Sequence, residues 1–303
     1  MNINNSRILV IGTYGQVGGS FHKLLAGKKN VIFTDMAPQT ADIKKLDVTD
    51  FHAIKSLIEE IQPQVIINCV AYTAVDQSEK DCDVAMKINS ESVKIMAEAA
   101  QKSGSVFIHY STDYVFDGSG TRPWLESDKS SPLNIYGISK LAGENATLHC
   151  ATKGYVFRTQ WVYDKTGKNF VNTMLRLGAE RQELSIVGDQ IGAPTSSDVI
   201  AVYTIKALEK ILAGKMDPGI YHLTCRGEVS WHGFAEEIFR LAREHGQKLQ
   251  ITSVKKIETK DFPTPAPRPK NSRLSLLKFE SAIGEHLPPW QVALQNVMFG
   301  SIS

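Results

Sequence analysis

The segment Arg7-Ile8-Leu9-Val10-Ile11-Gly12-Thr13-Tyr14-Gly15-Gln16-Val17-Gly18 decides the fold of this chain. Five residues typical of a buried strand are followed by glycines spaced GxxGxxG, and a helical pattern then runs to Leu25. Glycines at a strand–helix turn permit a tight bend and let the backbone approach a pyrophosphate, which the free N–H groups of the helix N-terminus attract. The segment therefore predicts a dinucleotide-binding unit in which Gly12, Gly15 and Gly18 contact the cofactor; plain turn chemistry is the alternative.

The alternation of strand and helix continues through the first half of the chain. Further strand patterns lie at 31–35, 65–70, 106–110 and 155–158, and helical patterns at 17–25, 51–61, 84–100 and 136–150. Strands that are apolar along their whole length indicate burial on both faces, as in a parallel sheet. Together these patterns predict an α/β fold with a Rossmann-type, doubly wound parallel sheet.

The rhythm loosens after about residue 165. Helical patterns occupy 169–182, 197–212, 231–245 and 290–298, strand patterns occupy 184–187 and 219–224, and prolines stand at every second position from 263 to 269. Such a proline stretch must be extended and cannot be a central strand. We predict an NAD(P)-binding domain at 1–165, to which 197–224 returns, and a smaller, mainly substrate-binding C-terminal α/β domain at 166–303.

Composition excludes several classes of protein. The 303 residues carry 34 Lys and Arg against 32 Asp and Glu, so charge gives no reason to expect nucleic acid or an anionic membrane as partner. The four cysteines form no CxxC pair, which argues against a structural zinc site and a disulfide framework. No apolar run is long enough for a signal peptide or a membrane span. We therefore expect reduced thiols and a cytoplasmic location.

Asp35 ends the second predicted strand, about 20 residues beyond the glycine turn. An acidic side chain there can accept hydrogen bonds from an adenosine ribose and should repel a 2′-phosphate. It therefore favours NADH over NADPH, although a solvated strand-end aspartate is the plain alternative.

Tyr136 and Lys140 form a YxxxK motif that puts a phenol and an ammonium on one helix face. A carbonyl that receives hydride needs a proton, and a nearby ammonium should lower the pKa of the phenol that gives it. Thr112 follows the fourth predicted strand and can hold the carbonyl oxygen beside the phenol. These three residues are the predicted catalytic group.

With these motifs the chain resembles the extended short-chain dehydrogenase/reductases. Longer strings at 68–76, 111–118, 158–163, 169–177, 188–195 and 268–274 are similar to the nucleotide-sugar reductases of that family, from about residue 7 to the final helix. The resemblance implies NAD(P)H-dependent reduction of the C4 ketone of a dTDP-linked deoxy sugar. Tyr136 would then donate the proton, and Lys140 would hold the nicotinamide ribose.

The resemblance also implies roles for the remaining candidate residues. Around the cofactor it implies the pyrophosphate contacts Gly15, Gln16 and Val17, the ribose contact Asp35, the adenine neighbours Asp47 and Val48, the lining residues Ala71, Tyr72 and Thr73, and Tyr110 at the nicotinamide half. Around the substrate it implies Thr112 and Asp113 at the sugar and Trp161 packed on it. We further expect the helix opening at Asn169 and the side chain of Arg268 to meet the pyrophosphate of the sugar nucleotide. Asn89 matches an asparagine that orders a water behind the lysine.

The chain departs from its relatives in two places. Tyr14 is bulky beside a phosphate, and Gly19-Ser20 stands where some relatives carry a carboxylate used in a magnesium-bridged dimer. No metal ligands are therefore predicted; magnesium lacks support from the sequence, and a homodimer stays open.

Several other assignments remain open from the sequence. Another nucleotide-sugar 4-ketoreductase or an epimerase would share the Tyr–Lys pair, whereas a 4,6-dehydratase would need a second carboxylate where Tyr114 stands. A cofactor-binding regulatory subunit without catalysis is the alternative from another class. Trp231, Phe234, Ile238 and Leu241 recur at helical spacing and are interpreted as core, and His109 as a packed histidine.

Overall fold

A seven-stranded sheet forms the centre of the computed structural model, which describes residues 3–300. The strands are β1 (Ile8–Ile11), β2 (Val31–Asp35), β3 (Ile43–Lys45), β4 (Val65–Asn68), β5 (Val106–Thr112), β6 (Gly154–Thr159), β7 (Val162–Tyr163), β8 (Glu183–Val187), β9 (Ile191–Gly192), β10 (Thr195–Ser196), β11 (Gly219–His222), β12 (Val229–Ser230) and β13 (Ser253–Ile257). The α-helices are α1 (Gln16–Leu25), α2 (Phe51–Ile61), α3 (Val75–Ser78), α4 (Cys82–Met86), α5 (Ser92–Ser103), α6 (Ile135–Cys150), α7 (Phe170–Glu180), α8 (Ser197–Leu212), α9 (Trp231–Glu244), α10 (Leu277–Ile283) and α11 (Trp290–Phe299).

The order of strands across the sheet is β3-β2-β1-β4-β5-β6-β11, and each neighbouring pair is parallel. This order confirms the predicted Rossmann-type sheet. The chain reverses its direction of winding between β1 and β4, and such a switch point opens a crevice at the carboxyl ends of the strands, where ligands bind. The candidate residues that follow β1, β4 and β5 therefore meet at one edge.

Each face of the sheet is buried against helices, which explains the unbroken apolar pattern of its strands. Ile8 and Val10 pack in a core with α1 and α8, whereas Leu9 and Ile11 pack in a second core with α2 and α5. Side chains alternate between the faces of a strand, so only a strand covered on both sides is apolar at every position.

A third core lies in the C-terminal half. It joins α7, α9 and α11 around Phe234, Ile238 and Leu294, beside the parallel pair of β8 and β13. Helix α8 packs on α1, and β11 extends the central sheet beside β6. The exact domain boundaries stay a prediction. Within residues 3–300, no helix combines the length and the apolar character that crossing a bilayer requires.

The structure differs from the predicted helix at 84–100. In its place α4 and α5 flank a π-helical turn at Lys87–Glu91, where each carbonyl bonds one residue further along than in an α-helix. Asn89, in this turn, bonds the backbone of Tyr72 through both amide atoms and donates to Ser139 Oγ. The short strands β3, β7, β9, β10, β12 and β13 and helix α10 carry too little periodic pattern to be predicted and were missed.

Candidate active site

The glycine turn after β1 has the close approaches that its sequence predicts. Gly12 has a φ of +91°, and a Cβ there would lie 2.6 Å from Val70 Cγ2. A Cβ on Gly18 would lie 1.9 Å from the carbonyl oxygen of Gly12, so helix α1 can start against the turn only with glycine at this position. Gly15 begins α1 without a side-chain cap, which leaves the first N–H groups available to a phosphate. The turn therefore fits a dinucleotide pyrophosphate.

Asp35 and Asp47, the predicted neighbours of the adenosine, lie at the end of β2 and shortly after β3. Asp35 Oδ2 accepts a hydrogen bond from the backbone N–H of Tyr14 at 2.9 Å, which links the end of β2 to the glycine turn. The hydroxyl of Tyr14 accepts from the N–H of Gln39, so this bulky side chain folds over the loop after β2. Hydrogen bonds from Thr49 hold the pKa of Asp47 below its usual value, while Val48 is buried in the core.

The loop at 71–73 follows β4 and is held by the π-helical turn. The backbone N–H of Tyr72 donates to Asn89 Oδ1 at 2.8 Å, and its phenol donates to Asp81 Oδ2. Asn89 therefore positions this loop directly, and the water-ordering role stays a prediction.

Tyr136 is the second residue of helix α6, and the start of this helix fixes its position. Asn134 caps the helix by accepting from the N–H of Gly137 at 2.8 Å. A Cβ on Gly137 would lie 2.3 Å from the carbonyl oxygen of Tyr114, so glycine lets the helix start press against the turn after β5. The ring of Tyr136 consequently packs edge-on against Tyr114, with centroids 5.5 Å apart.

The pKa of the Tyr136 phenol is shifted upward, whereas the YxxxK motif predicts a downward shift. Burial and the charge of Asp113 raise its pKa above the usual value, and a hydrogen bond with Thr112 opposes them. Lys140 is not among the groups that shift this pKa, and its Nζ bonds the backbone carbonyl of Tyr110, as described next. A phenol that keeps its proton suits a proton donor in a reduction.

Lys140 is buried, with 2 % of its surface exposed, one turn after Tyr136. Its Nζ donates to the carbonyl oxygen of Tyr110 at 2.6 Å and lies 3.4 Å from His109 Nε2. Burial lowers the pKa of Lys140 to about 7, against the opposing charge of Glu144. His109 is packed, as predicted, and it is also a direct neighbour of the lysine.

Thr112 and Asp113 form the end of β5 beneath Tyr136. The Thr112 hydroxyl donates to Asp113 Oδ1 at 3.0 Å and accepts from the N–H of Tyr114. Burial raises the pKa of Asp113 to about 6. The structure thus brings the predicted catalytic residues and Asp113 to one place.

The side chain of Tyr110 points away from the active site and cannot contact the nicotinamide half of a cofactor there. Because it alternates with His109 on β5, its ring points to the opposite face of the sheet, where its hydroxyl bonds Thr204 of α8 at 2.7 Å. Its carbonyl, which holds Lys140, is the atom left on the side of the active site. A contact of Tyr110 with the nicotinamide half would therefore use its backbone.

A cavity of about 740 Å³ runs under α7, and Arg268 in its lining lies over the ring of Tyr114, which packs on Tyr136. Trp231 borders the cavity, half-buried, and stacks on Trp161 with centroids 3.7 Å apart. Trp161 has a φ of +48°, a strained conformation for a residue with a side chain, and such strain is concentrated at functional sites. The interpretation of Trp231 as core was therefore incomplete: Phe234, Ile238 and Leu241 are buried, whereas the helix start exposes Trp231 to the cavity.

Arg268 lines the cavity, and Asn169 stands directly before Phe170, another lining residue. Arg268 donates to Asp76 Oδ2 at 2.9 Å, so its charge is shared with a carboxylate. Asn169 Oδ1 accepts from the N–H of Asn172 and caps α7, while Nδ2 lies 3.4 Å from Gln16 Oε1. The side chain of Asn169 thus caps α7 and contacts Gln16 at the glycine turn. The N-terminus of α7 is therefore less open to a phosphate than predicted.

Polar atoms without partners stand at the carboxyl ends of β5 and β6. In the described part of the chain, Ser111 Oγ, Thr159 Oγ1 and both amide atoms of Gln160 are buried and make no hydrogen bond. Buried polar groups are ordinarily paired, so such atoms point to a polar ligand or to bound water. Sequence reasoning did not identify Thr159 or Gln160, although both belong to the string at 158–163.

The Gly19-Ser20 position faces the protein interior. Ser20 is buried and its hydroxyl donates to Asp198 Oδ1 at 2.8 Å, which ties α1 to α8. No group of three or more His, Cys, Asp or Glu side chains in residues 3–300 is arranged to hold a metal ion.

Comparisons with known proteins agree on one group of relatives. The family model described as the RmlD substrate binding domain matches residues 6–300. The chain is 41% identical to the dTDP-4-dehydrorhamnose reductase of Escherichia coli K12 over 291 residues, which is 96% of each chain. It is similar in structure to a dTDP-4-dehydrorhamnose reductase from Clostridium acetobutylicum, with a TM-score of 0.86, 39% identity and coverage of 96% and 98%. The enzyme of that name from Bacillus anthracis, solved in complex with NADP, has a TM-score of 0.88, 34% identity and coverage of 99% and 100%.

Proposed function

The chain belongs to the RmlD family of dTDP-4-dehydrorhamnose reductases, and from this we propose the reaction that it catalyses. The reaction is the NAD(P)H-dependent reduction of the C4 ketone of dTDP-4-dehydro-β-L-rhamnose to dTDP-β-L-rhamnose. The observation that carries it is the position of Tyr136, which bonds Thr112 beside Asp113 at the carboxyl end of β5, two strands from the glycine turn that follows β1. The phenol keeps its proton there, ready for a developing alkoxide.

The residues of the chain divide the chemistry among them. When bound, the reduced nicotinamide supplies the hydride for C4. Thr112 orients the C4 oxygen, and Tyr136 gives that oxygen its proton. Lys140 holds the nicotinamide ribose and returns a proton to the phenolate, since its lowered pKa lets it release one near neutral pH. General-acid assistance of this kind contributes about 10²–10⁴ in rate.

The cavity under α7 gives the nucleotide end of the substrate a place. The aromatic lining of Trp231 and Phe170, with Trp161 stacked on Trp231, suits a pyrimidine base or the sugar face, and Arg268 would supply a cation for the pyrophosphate. The partnerless atoms of Ser111, Thr159 and Gln160 would receive sugar hydroxyls or bridging water.

The test is loss of NADPH or NADH absorbance with enzymatically made dTDP-4-dehydro-β-L-rhamnose, followed by identification of the sugar product. We expect one oxidised cofactor released for each dTDP-L-rhamnose formed. An epimerase would retain its cofactor, so an isomerised ketosugar with no net oxidation would contradict the proposal. Binding of cofactor without any turnover would favour a regulatory subunit.

Asp35 is the residue on which we base a preference for NADH. Its carboxylate lies where an adenosine ribose would bind and would repel a 2′-phosphate. We expect Asp35→Ala to lower kcat/KM for NADH and to raise it for NADPH, measured with each cofactor in turn. Asp42, an exposed acidic residue outside the site, provides the control Asp42→Ala. An unchanged ratio of the two kcat/KM values in Asp35→Ala would refute the assignment.

Arg268 is the residue on which we base recognition of the pyrophosphate. We expect Arg268→Ala to raise KM for the dTDP-sugar about tenfold or more, the worth of a charge-assisted hydrogen bond, with a smaller change in kcat. Arg273 is the matched control because it bonds Glu228 and Asn271 and lies outside the cavity. Equal KM values in the two variants would show that Arg268 is an ordinary structural arginine.

A further inference from the structure

Asn68 and His109 stand opposite each other on β4 and β5, in register and on the same face of the sheet. Asn68 Oδ1 accepts from the backbone N–H of Val70 at 3.0 Å, which fixes the orientation of the amide. Its Nδ2 therefore faces His109 Nδ1, at 3.2 Å. Asn68 and His109 are 1 % and 0 % exposed, so water cannot take the place of either partner.

This arrangement selects one form of the imidazole. Since Asn68 Nδ2 can only donate, His109 Nδ1 must accept, and the ring proton must be on Nε2. That N–H is directed at Lys140 Nζ, 3.4 Å away, while Nζ donates to the carbonyl oxygen of Tyr110 at 2.6 Å. A neutral amine can donate and accept at once, whereas an ammonium can only donate.

We propose that Asn68 and His109 are positioning residues that favour the amine form of Lys140 over its ammonium form, and so set the pH below which Lys140 carries the proton that it returns to Tyr136. With the proton on Nε2, an ammonium at Lys140 would face a second donor. Protonation of Lys140 therefore requires either a change of imidazole tautomer against Asn68 or a rotation of Asn68 away from Val70.

The proton balance of a turnover is then complete. The phenol of Tyr136 gives its proton to the C4 oxygen as C4 gains hydride, and a phenolate remains. The ammonium form of Lys140 gives a proton to that phenolate and becomes the amine that His109 favours. Solvent reprotonates Lys140 before the next turnover, with the change of tautomer or of amide orientation described above. His109 stays neutral throughout and shows no net gain or loss of a proton.

The surrounding charges agree with this assignment. Burial is the largest influence on Lys140 and lowers its pKa to about 7, and Glu144 alone opposes it. Glu144 is bonded to Arg158, which limits its effect on the lysine. Two titratable groups act directly on Lys140: Glu144 on α6, through its charge, and His109 on β5, which contacts it. Arg158 on β6 is bonded to Glu144, and Asp113, directly after β5, acts on Tyr136 one helical turn before the lysine.

The tautomer can be measured without turnover. In ¹⁵N NMR of histidine-labelled protein without cofactor, we expect the His109 signal to show a protonated Nε2 and an unprotonated Nδ1. The signal is identified by its loss in His109→Gln. A proton on Nδ1 would overturn the proposal. The measurement needs no turnover, so its outcome does not depend on whether the protein has the proposed reductase activity.

The consequence for Lys140 can be measured with Asn68→Asp, on the premise of the proposed activity. The carboxylate accepts from Val70 and from His109 Nδ1–H, so Nε2 becomes an acceptor that favours the ammonium. We expect the basic limb of kcat against pH to move upward by about one unit or more, and the NMR tautomer to reverse.

Two further variants keep this test decisive. If Asn68→Asp does not fold, His109→Gln takes its place. A glutamine amide has no fixed tautomer and can turn its oxygen toward an ammonium, so we expect the basic limb of kcat against pH to move upward, by less than in Asn68→Asp. His222→Gln removes another fully buried histidine, one that bonds Ser275, and is expected to leave the limb in place. If kcat falls at every pH in the Asn68 and His109 variants and the basic limb does not move, the two residues have a structural role only. If the basic limb moves downward, His109 accepts a hydrogen bond from an ammonium at Lys140, and the proposal is wrong.

Discussion

Tyr136→Phe is expected to lower kcat by at least about a hundredfold while the affinity for NAD(P)H stays close to that of the unchanged protein. The substitution removes the one hydroxyl that stands over Thr112, yet it keeps the ring that packs on Tyr114. The proton for the C4 oxygen must then come from water, which is neither positioned nor activated. Turnover is measured by cofactor absorbance, and cofactor affinity by fluorescence titration.

The comparison that interprets this result is Tyr203→Phe. Tyr203 lies on α8, and its hydroxyl donates to the carbonyl oxygen of His286 beside Glu285, outside the site. Its loss is expected to leave kcat unchanged, which separates chemistry from a general effect of losing a tyrosine hydroxyl. If Tyr136→Phe turned over as fast as Tyr203→Phe, Tyr136 could not be the proton donor.

The central sheet was predictable because its signals are local. Four consecutive apolar residues before Gly12 identify β1, and the steric need for glycine at Gly12 and Gly18 is visible in the spacing alone. The position of Tyr136 also follows from local rules, since Asn134 is a strong helix cap and Gly137 permits the close contact with Tyr114.

Other features depend on contacts between distant segments and left no such signal. The π-helical turn at Lys87–Glu91 is stabilised by bonds from Asn89 to Tyr72 and Ser139, which are 17 and 50 residues away. The pKa of Tyr136 was expected to fall because Lys140 is near in sequence; in the fold, burial and Asp113 outweigh it. Charge effects of this kind depend on depth and on direction, and a spacing of four residues supplies neither.

Glu144→Gln is expected to cause the largest loss of stability among single charge removals in the active-site region. Glu144 and Arg158 are 1 % and 2 % exposed, and two hydrogen bonds of 2.8 and 2.6 Å join them. Removing one partner of such a pair leaves the other charge buried and uncompensated, at a cost of about 3–5 kcal/mol in the free energy of unfolding. The packing of the Arg158 guanidinium over the Phe116 ring, 4.9 Å away, cannot replace a carboxylate.

Urea unfolding of Glu144→Gln beside Glu180→Gln separates burial from charge. Glu180 pairs with Arg176 on the exposed surface of α7, and its loss should cost less than about 1 kcal/mol. Glu144 also raises the pKa of Lys140, so its neutralisation should lower that pKa further. A lysine that loses its proton earlier as the pH rises moves the basic limb of kcat downward, opposite to the shift expected for Asn68→Asp. Equal unfolding free energies in the two glutamine variants would contradict the buried pair, and a limb that moved upward in Glu144→Gln would contradict the influence of Glu144 on Lys140.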